Sequence, residues 1–412
     1  MTEAIATYTR PARALQRWTP WSHRPTELML VAAWFCTTTA RFPYDTLVLY
    51  ALTTFFMIGV YLHRATVIPL AMRGWPIFLL PLWELCSPLW SAVPATSLKI
   101  AMQLILTVLI CCYIAARLGQ RAFIGAIFAA LTVWELASAP RLGDYENFQG
   151  VFTDKNFLAL RMSVLVFSGL VIVLDRAYPR LLRFIAMPVT GLALVMIVLS
   201  HSAGAAISGG LGAMVIVGSV FVWAPFKNYR ALIVAVMLAL GLGVATVVAQ
   251  GPKFDPEQEV LGAFGKDSTL TGRQELWEYA SELIKQKPIL GLGPGGFWLT
   301  DRNDAQELLE THYKERGTQF VFHNSYLEVL VYLGIPGLIL ALIGWVWTCA
   351  VNFGRLLKYA TTPAAFFAAM AIVSLARSYV ESDLWQPFEF MGMIGWAGAL
   401  CLYPRASPPR RA

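Results

Sequence analysis

A histidine and an asparagine stand where the chain enters a long apolar run. His323 and Asn324 begin the stretch HNSYLEVLVYLGIPG, and Glu328 follows inside the apolar segment. The ordinary pKa of histidine is about 6.5, so a neutral ring accepts a proton close to physiological pH. Asn324 is suited either to cap the following helix or to contact a substrate. The pattern predicts a general base at His323; a purely structural histidine is the alternative.

Arg273 occupies the first turn of a predicted amphipathic helix, TLTGRQELWEYASELIKQKP. A capping-box pattern begins at Thr271, and Leu276, Ala280 and Leu283 share one face of the helix. A cation in the first turn opposes the helix dipole. An anionic ligand would remove that penalty, because the helix N–H groups and the guanidinium would both bind it. We interpret Arg273 as an anion-binding residue; the alternative is an exposed arginine without a partner.

Other polar residues stand at the ends of apolar runs, at a similar predicted depth. The candidates for substrate binding among them are Lys155, Asn156, Arg161, His201, Asn324, Arg377 and Glu381. Salt bridges that lock the helices together are the alternative, and they explain Arg161 and Arg377 least well, since both enter or leave apolar helices. There is no Cys/His metal set and no Ser-His-Asp spacing, so we expect no metal site. Several arginines around one histidine suit a phosphate-bearing substrate on a lipid.

The elements that must position these residues are membrane helices. The chain has 412 residues, of which 57% are hydrophobic and 14% charged, whereas soluble domains have about 25% charged residues. Long, repeated apolar runs predict an all-α, polytopic membrane protein with about twelve spans. The predicted spans are 27–40, 44–62, 74–90, 98–117, 121–138, 156–174, 182–200, 204–223, 230–249, 323–351, 362–379 and 386–403.

Lysine and arginine concentrate near both termini and in alternate short loops, which predicts cytoplasmic termini. The net charge of +7 follows from this asymmetry and does not indicate nucleic acid. The polar, basic N-terminus does not resemble a cleavable signal peptide. We predict three regions: a transmembrane bundle of about nine spans over 1–249, one large periplasmic loop over 250–322 between spans nine and ten, and about three further spans with a cytoplasmic tail over 323–412.

A glycine-rich stretch, LGLGPGGFW, follows the amphipathic helix of the loop. It lacks the preceding strand and the Gly-Lys-Ser/Thr ending of a P-loop. We interpret it as a tight turn that leads the chain back toward the membrane.

Several of these stretches together resemble the O-antigen ligase/polymerase superfamily, which includes Wzy-type polymerases of O-antigen and exopolysaccharide. They run in family order over about residues 87–385. The stretches are SPLWSAVP, GVFTDKNFLALRM, STLTGRQELW, PILGLGPGGFW, FHNSYLEVLVYLGIPG and ARSYVESDLW.

The resemblance implies a GT-C-like helical fold and glycan transfer, with inversion, from undecaprenyl diphosphate to an acceptor hydroxyl, without a metal or other cofactor. His323 matches the family histidine and Arg273 the family loop arginine. Many members carry an arginine where this chain has Ala203. Arg161, His201 or Arg377 would supply that charge.

The function expected from this resemblance is polymerisation of lipid-linked repeats at the periplasmic face of the bacterial inner membrane. The donor is an undecaprenyl-diphosphate-linked glycan, the acceptor is a lipid-linked repeat, and a chain-length regulator is a candidate partner beside the membrane lipid. One alternative is an O-antigen ligase, whose acceptor is lipid A–core. Another is a lipid or polysaccharide transporter, although the chain shows no internal repeat of the kind that transporters often carry.

Overall fold

The structure is a computed structural model that describes residues 25–143, 148–225, 273–318 and 320–403. The regular elements within these residues are all helical, and none is a strand. This confirms the predicted all-α fold class. The helices are α1 (Pro25–Thr37), α2 (Asp45–Leu62), α3 (Arg64–Arg73), α4 (Leu79–Cys86), α5 (Pro94–Arg117), α6 (Gln120–Ser138), α7 (Lys155–Leu174), α8 (Arg180–Leu199), α9 (Ala203–Gly218), α10 (Arg273–Gln286), α11 (Asn303–Thr311), α12 (Ser325–Tyr359), α13 (Thr362–Ser378) and α14 (Phe390–Leu402).

Seven helical segments in the described part of the chain are long and apolar enough to cross a membrane. They correspond to α2, α5, α6, α7, α8, α9 and α12. The helices α13 and α14 are apolar but shorter. A polytopic membrane protein is therefore confirmed, while about twelve spans stays a prediction. The predicted span at 230–249 lies outside the described residues.

The region after α2 differs from the prediction. We expected a basic loop around Arg64 and Arg73, followed by one span over 74–90. Instead Arg64–Arg73 is helical, and the chain bends by 88° into the helical segment Trp75–Leu89. The bend follows from Gly74 and Pro76, because a proline removes a backbone donor and disfavours helical geometry in the residue before it. This pair of helices is a broken span or a re-entrant loop.

The long helix α12 is broken at Gly334, where φ is 67° and ψ is −170°. The break frees helix carbonyls, and the glycine-rich segment binds them. The N–H groups of Leu292 and Gly293 donate to the carbonyls of Val331 and Tyr332, each at 2.8 Å. A Cβ atom at Gly334 would lie 2.1 Å from the Ile289 carbonyl oxygen, so glycine is required. The glycine-rich segment thus attaches the long loop before α12 to the break in that helix.

The described part of the loop has its own apolar core. Leu276, Ala280 and Leu283 of α10 are buried, which confirms the predicted face of that helix. They pack with Phe297, Trp298 and other apolar side chains of the loop and of α12. This core fixes α10, and therefore Arg273 at its start, beside the beginning of α12.

Candidate active site

The backbone around His323 is set by the cap of α12. The Asn324 side chain accepts hydrogen bonds from the N–H groups of Tyr326 (3.0 Å) and Leu327 (3.1 Å). Asn324 was predicted either to cap the helix or to contact a substrate. The structure shows the cap, which uses the Oδ1 atom. His323, the residue before the cap, has a φ of 49°. Left-handed conformations are uncommon in residues other than glycine and often occur at functional sites.

Glu381 brings His323 and Arg273 together. Its Oε2 atom accepts a hydrogen bond from His323 Nδ1 at 3.1 Å, and its Oε1 atom accepts one from Arg273 Nη2 at 2.6 Å. The Glu381 backbone is held as well, because the Ser325 hydroxyl donates to its carbonyl at 2.8 Å. We call these three side chains the His–Glu–Arg triad. They come from the segment before α12, the start of α10 and the segment after α13.

The triad remains accessible. The side chains of His323, Arg273 and Glu381 are 28%, 23% and 20% exposed. Burial would raise the pKa of Glu381, but the hydrogen bond with His323 and the charges of Arg273 and Arg377 outweigh it and hold the pKa below its usual range. An ionised carboxylate only accepts hydrogen bonds, so Nδ1 of His323 is the donor, and in the neutral ring Nε2 then keeps its lone pair.

Both carboxylate oxygens of Glu381 bind side chains of the protein. The Arg273 guanidinium and the His323 ring beside it favour the ionised carboxylate. A contact between Glu381 and substrate stays a prediction. Its place in the ARSYVESDLW stretch was a sequence signal, but nothing local identified its partners.

Two more arginines lie near the segment that links α13 to α14. Arg377 Nε donates to Asp383 Oδ2 at 2.5 Å. Arg161 of α7 is 1% exposed and has one long ion pair, 3.8 Å from Nη2 to Glu389 Oε1. Its guanidinium lies between two phenylalanine rings, and its Nε and Nη1 atoms have no hydrogen-bond partner among the described residues. Sequence reasoning missed Glu389, whose side chain caps α14 by accepting hydrogen bonds from the N–H groups of Met391 and Gly392.

The remaining candidates form a neighbouring group at the ends of α7 and α8. Asn156 accepts a hydrogen bond from the Ser202 hydroxyl at 2.8 Å. His201 is exposed and has a φ of 48°, and Lys155 is the first residue of α7. The hydrogen bond of Asn156 is therefore to the α8–α9 connection and not to the triad. Within the described residues, no group of three or more His, Cys, Asp or Glu side chains has metal-binding geometry.

Comparison with known proteins adds to this geometry. Residues 188–342 match a family model described as O-antigen ligase. Over 326 residues the chain is 28% identical to the exopolysaccharide production protein ExoQ of Rhizobium meliloti (strain 1021), covering 76% of this chain and 73% of ExoQ. These two similarities support the O-antigen ligase/polymerase superfamily. The expected resemblance is thus confirmed, and the matched residues include Arg273 and His323 but not Glu381.

A second relative matches over a shorter stretch. The chain is 26% identical over 159 residues to an uncharacterized protein of Haemophilus influenzae, which covers 36% of this chain and 39% of that protein. The superfamily consists of membrane glycosyltransferase-like ligases and polymerases, which supports an enzymatic role for this membrane-embedded chain.

Proposed function

We propose that this protein is a polymerase that transfers a growing glycan from undecaprenyl diphosphate onto a lipid-linked repeat. The observation that carries the proposal is the bond between Glu381 and Nδ1 of His323, because it leaves Nε2 available to an acceptor hydroxyl. The similarity to an exopolysaccharide production protein favours a polymerase. The family description favours the alternative, an O-antigen ligase acting on lipid A–core.

In the proposed step, the acceptor hydroxyl oxygen attacks the anomeric carbon of the donor. The bond from that carbon to the diphosphate oxygen breaks, and its electron pair leaves with the diphosphate. The hydroxyl proton moves to Nε2 of His323. Because the hydroxyl attacks opposite the leaving diphosphate in a single displacement, the anomeric configuration inverts. The diphosphate is already a good leaving group, and the reaction therefore needs a base more than an acid.

Arginines stabilise the departing diphosphate in this proposal. Arg273 uses Nη2 to bind Glu381, and its other N–H groups are left for a phosphate oxygen. A second cation is needed where relatives carry an arginine at the position of Ala203. Arg161 is our first candidate because two of its nitrogens lack partners, and Arg377 is the second.

We further propose that the triad faces the periplasm from the bacterial inner membrane, with both termini in the cytoplasm. Glu307 is an exposed residue of α11, in the same loop as Arg273. A Glu307→Cys variant should react with an impermeant thiol reagent in cells whose outer membrane alone is permeabilised. Labelling that occurs only after lysis of the inner membrane would reverse this orientation.

The function is tested with the purified full chain in lipid nanodiscs and an undecaprenyl-diphosphate-linked repeat. A polymerase gives a ladder of lipid-linked products. A ligase gives no ladder but glycosylates added lipid A–core. Movement of the lipid-linked repeat across a vesicle membrane without a new glycosidic bond would indicate a transporter and contradict the proposal.

A further inference from the structure

A cavity of about 200 Å³ lies beside the segment that carries His323. Its walls come from α4, α5, the glycine-rich segment, residues 320–333 and residues 384–386. Pockets for drug-sized ligands typically have volumes of about 300–1,000 Å³. This cavity is smaller, and its size suits one ring rather than an extended chain.

Two buried carboxyl groups line the cavity. Glu84 of α4 is 5% exposed, and its Oε2 atom has no hydrogen-bond partner among the described residues. Glu328 of α12 is 4% exposed. Its Oε2 atom accepts hydrogen bonds from the Phe322 N–H group (2.9 Å) and the Ser382 hydroxyl (3.3 Å), and neither bond engages Oε1. A buried polar atom without a partner is unfavourable, so the Glu84 oxygen indicates a ligand that donates hydrogen bonds.

The lining does not suit a phosphate. No lysine, arginine or histidine lines the cavity in the part of the chain that the structure describes. A phosphate would therefore have no cation beside it, whereas carboxyl oxygens accept hydrogen bonds from hydroxyl groups. The aromatic rings of Phe320, Tyr332 and Trp385 also line it, and apolar ring faces with a few polar groups are typical of sites for small, partly polar ligands.

The cavity is joined to the triad through Phe320. The Phe320 ring lines the cavity, and its centroid lies 5.3 Å from that of the His323 ring, in an edge-to-face arrangement. Phe322, the residue before His323, donates to Glu328. One short segment therefore forms a wall of the cavity and holds the proposed base.

We infer that this cavity binds the terminal sugar ring of the acceptor, with Glu84 and Glu328 accepting hydrogen bonds from hydroxyl groups that do not react. The inference rests on the proposed glycosyl transfer and adds a subsite to it. Glu84 and Glu328 are positioning residues, because they orient the ring whose free hydroxyl reaches His323.

The test varies a short acceptor repeat at saturating lipid-linked donor, with the full chain in nanodiscs. Glu84→Gln and Glu328→Gln should each raise the acceptor KM about 10-fold, as expected for the loss of one hydrogen bond, with little change in kcat. Ile100→Phe fills the cavity from α5 and should prevent saturation by acceptor while donor binding persists. Glu135→Gln is the matched control, because Glu135 is a buried carboxyl of α6 whose oxygens lack partners and which does not line this cavity.

The outcomes separate the subsite from the function. An unchanged acceptor KM in those cavity variants that fold, including Ile100→Phe, would overturn the subsite even if the wild-type protein transfers glycan. An equal rise in KM for Glu135→Gln would also overturn it, since the effect would then not be local. If the wild-type protein forms no glycosidic bond with any acceptor, the proposed function fails first.

Discussion

Arginine–carboxylate pairs occur at both ends of the helical bundle, and they differ in how their hydrogen bonds are shared. At the end of α5, Arg117 donates two hydrogen bonds to Glu27, from Nε to Oε1 at 2.9 Å and from Nη2 to Oε2 at 3.2 Å. The 24 residues of α5 span roughly 36 Å, and its other end contacts the glycine-rich segment through Ser97. Near that end, Glu381 divides its two oxygens between Arg273 and His323.

The difference is one of remaining hydrogen-bonding capacity. Both carboxylate oxygens of Glu27 bind the same arginine, Arg117, in a bidentate pair. The Tyr113 hydroxyl donates a third hydrogen bond to Glu27 at 3.1 Å. Such a pair holds α1 against α5 and leaves little for a ligand. In the triad, Arg273 and His323 each bind Glu381 through one nitrogen. Their other nitrogens can therefore reach a substrate. Similar residue types therefore serve structure at one end and chemistry at the other.

Substitution of His323 should have the largest effect. His323→Gln retains hydrogen bonding but cannot accept the acceptor proton, so polymer formation should fall by about 10² to 10⁴-fold, as it should for His323→Ala. The measurement is polymer yield at matched protein level, with donor binding as a control for folding. Near-normal polymer from the Gln variant would rule out His323 as the general base. The triad would then have a structural role, like the Arg117–Glu27 pair at the other end of the bundle.

Glu381→Gln should have the second-largest effect on glycan transfer. An amide cannot fix the histidine tautomer as a carboxylate does, and loss of such a carboxylate reduces kcat by up to about 10⁴-fold in serine proteases. We expect roughly 10²-fold or more here, with folding retained because Ser325 still holds the Glu381 backbone. The readout is kcat in nanodiscs. A variant that loses stability but keeps kcat would show that Glu381 resembles Glu27.

Arg273→Lys tests the guanidinium. A lysine ammonium cannot hold Glu381 and a phosphate with the fixed geometry of a guanidinium. We expect transfer to fall nearly as far as in Arg273→Ala, roughly 10-fold or more, which corresponds to one lost bond between charged groups. Initial rates at saturating acceptor measure it. Full activity in the Lys variant would reduce Arg273 to a general positive charge.

Glu27→Gln should act on stability alone. It removes charge from a partly buried pair, and we expect a loss of about 1–3 kcal/mol in the free energy of unfolding. Thermal unfolding of the purified protein measures the loss, while kcat per folded molecule should equal that of the wild type. A selective fall in kcat would contradict the structural role of this pair.

The pH dependence of Glu381 should give the smallest effect. Its folded pKa lies below the ordinary value of about 4.3. The carboxylate therefore adds stability that is fully present above that value and is lost as the pH falls through the folded pKa. The difference in Tm between the wild type and Glu381→Gln should be constant from pH 7 to about pH 5 and shrink below about pH 4. A difference that grows toward acidic pH would reverse the sign of the interaction.

The sequence by itself determined the local features. Apolar runs gave the helices, because a membrane segment must satisfy its backbone internally. The buried face of α10 and the Asn324 cap followed from residues two to four positions apart, within about one helical turn. The motif order also indicated the superfamily and pointed to His323 and Arg273, and its place at the end of an apolar run made Glu381 a candidate.

Only the tertiary structure decided which candidates meet. Arg273 and His323 stand 108 and 58 residues from Glu381, and helical periodicity carries no information over such separations. The meeting depends on the loop core that holds α10 and on the Gly334 break, whose freed carbonyls bind the glycine-rich segment. The two carboxyl groups of the cavity are likewise brought together from α4 and α12 by packing. Whether their oxygens have partners is a property of that packing, since a lone glutamate in an apolar run does not reveal whether another side chain will satisfy it.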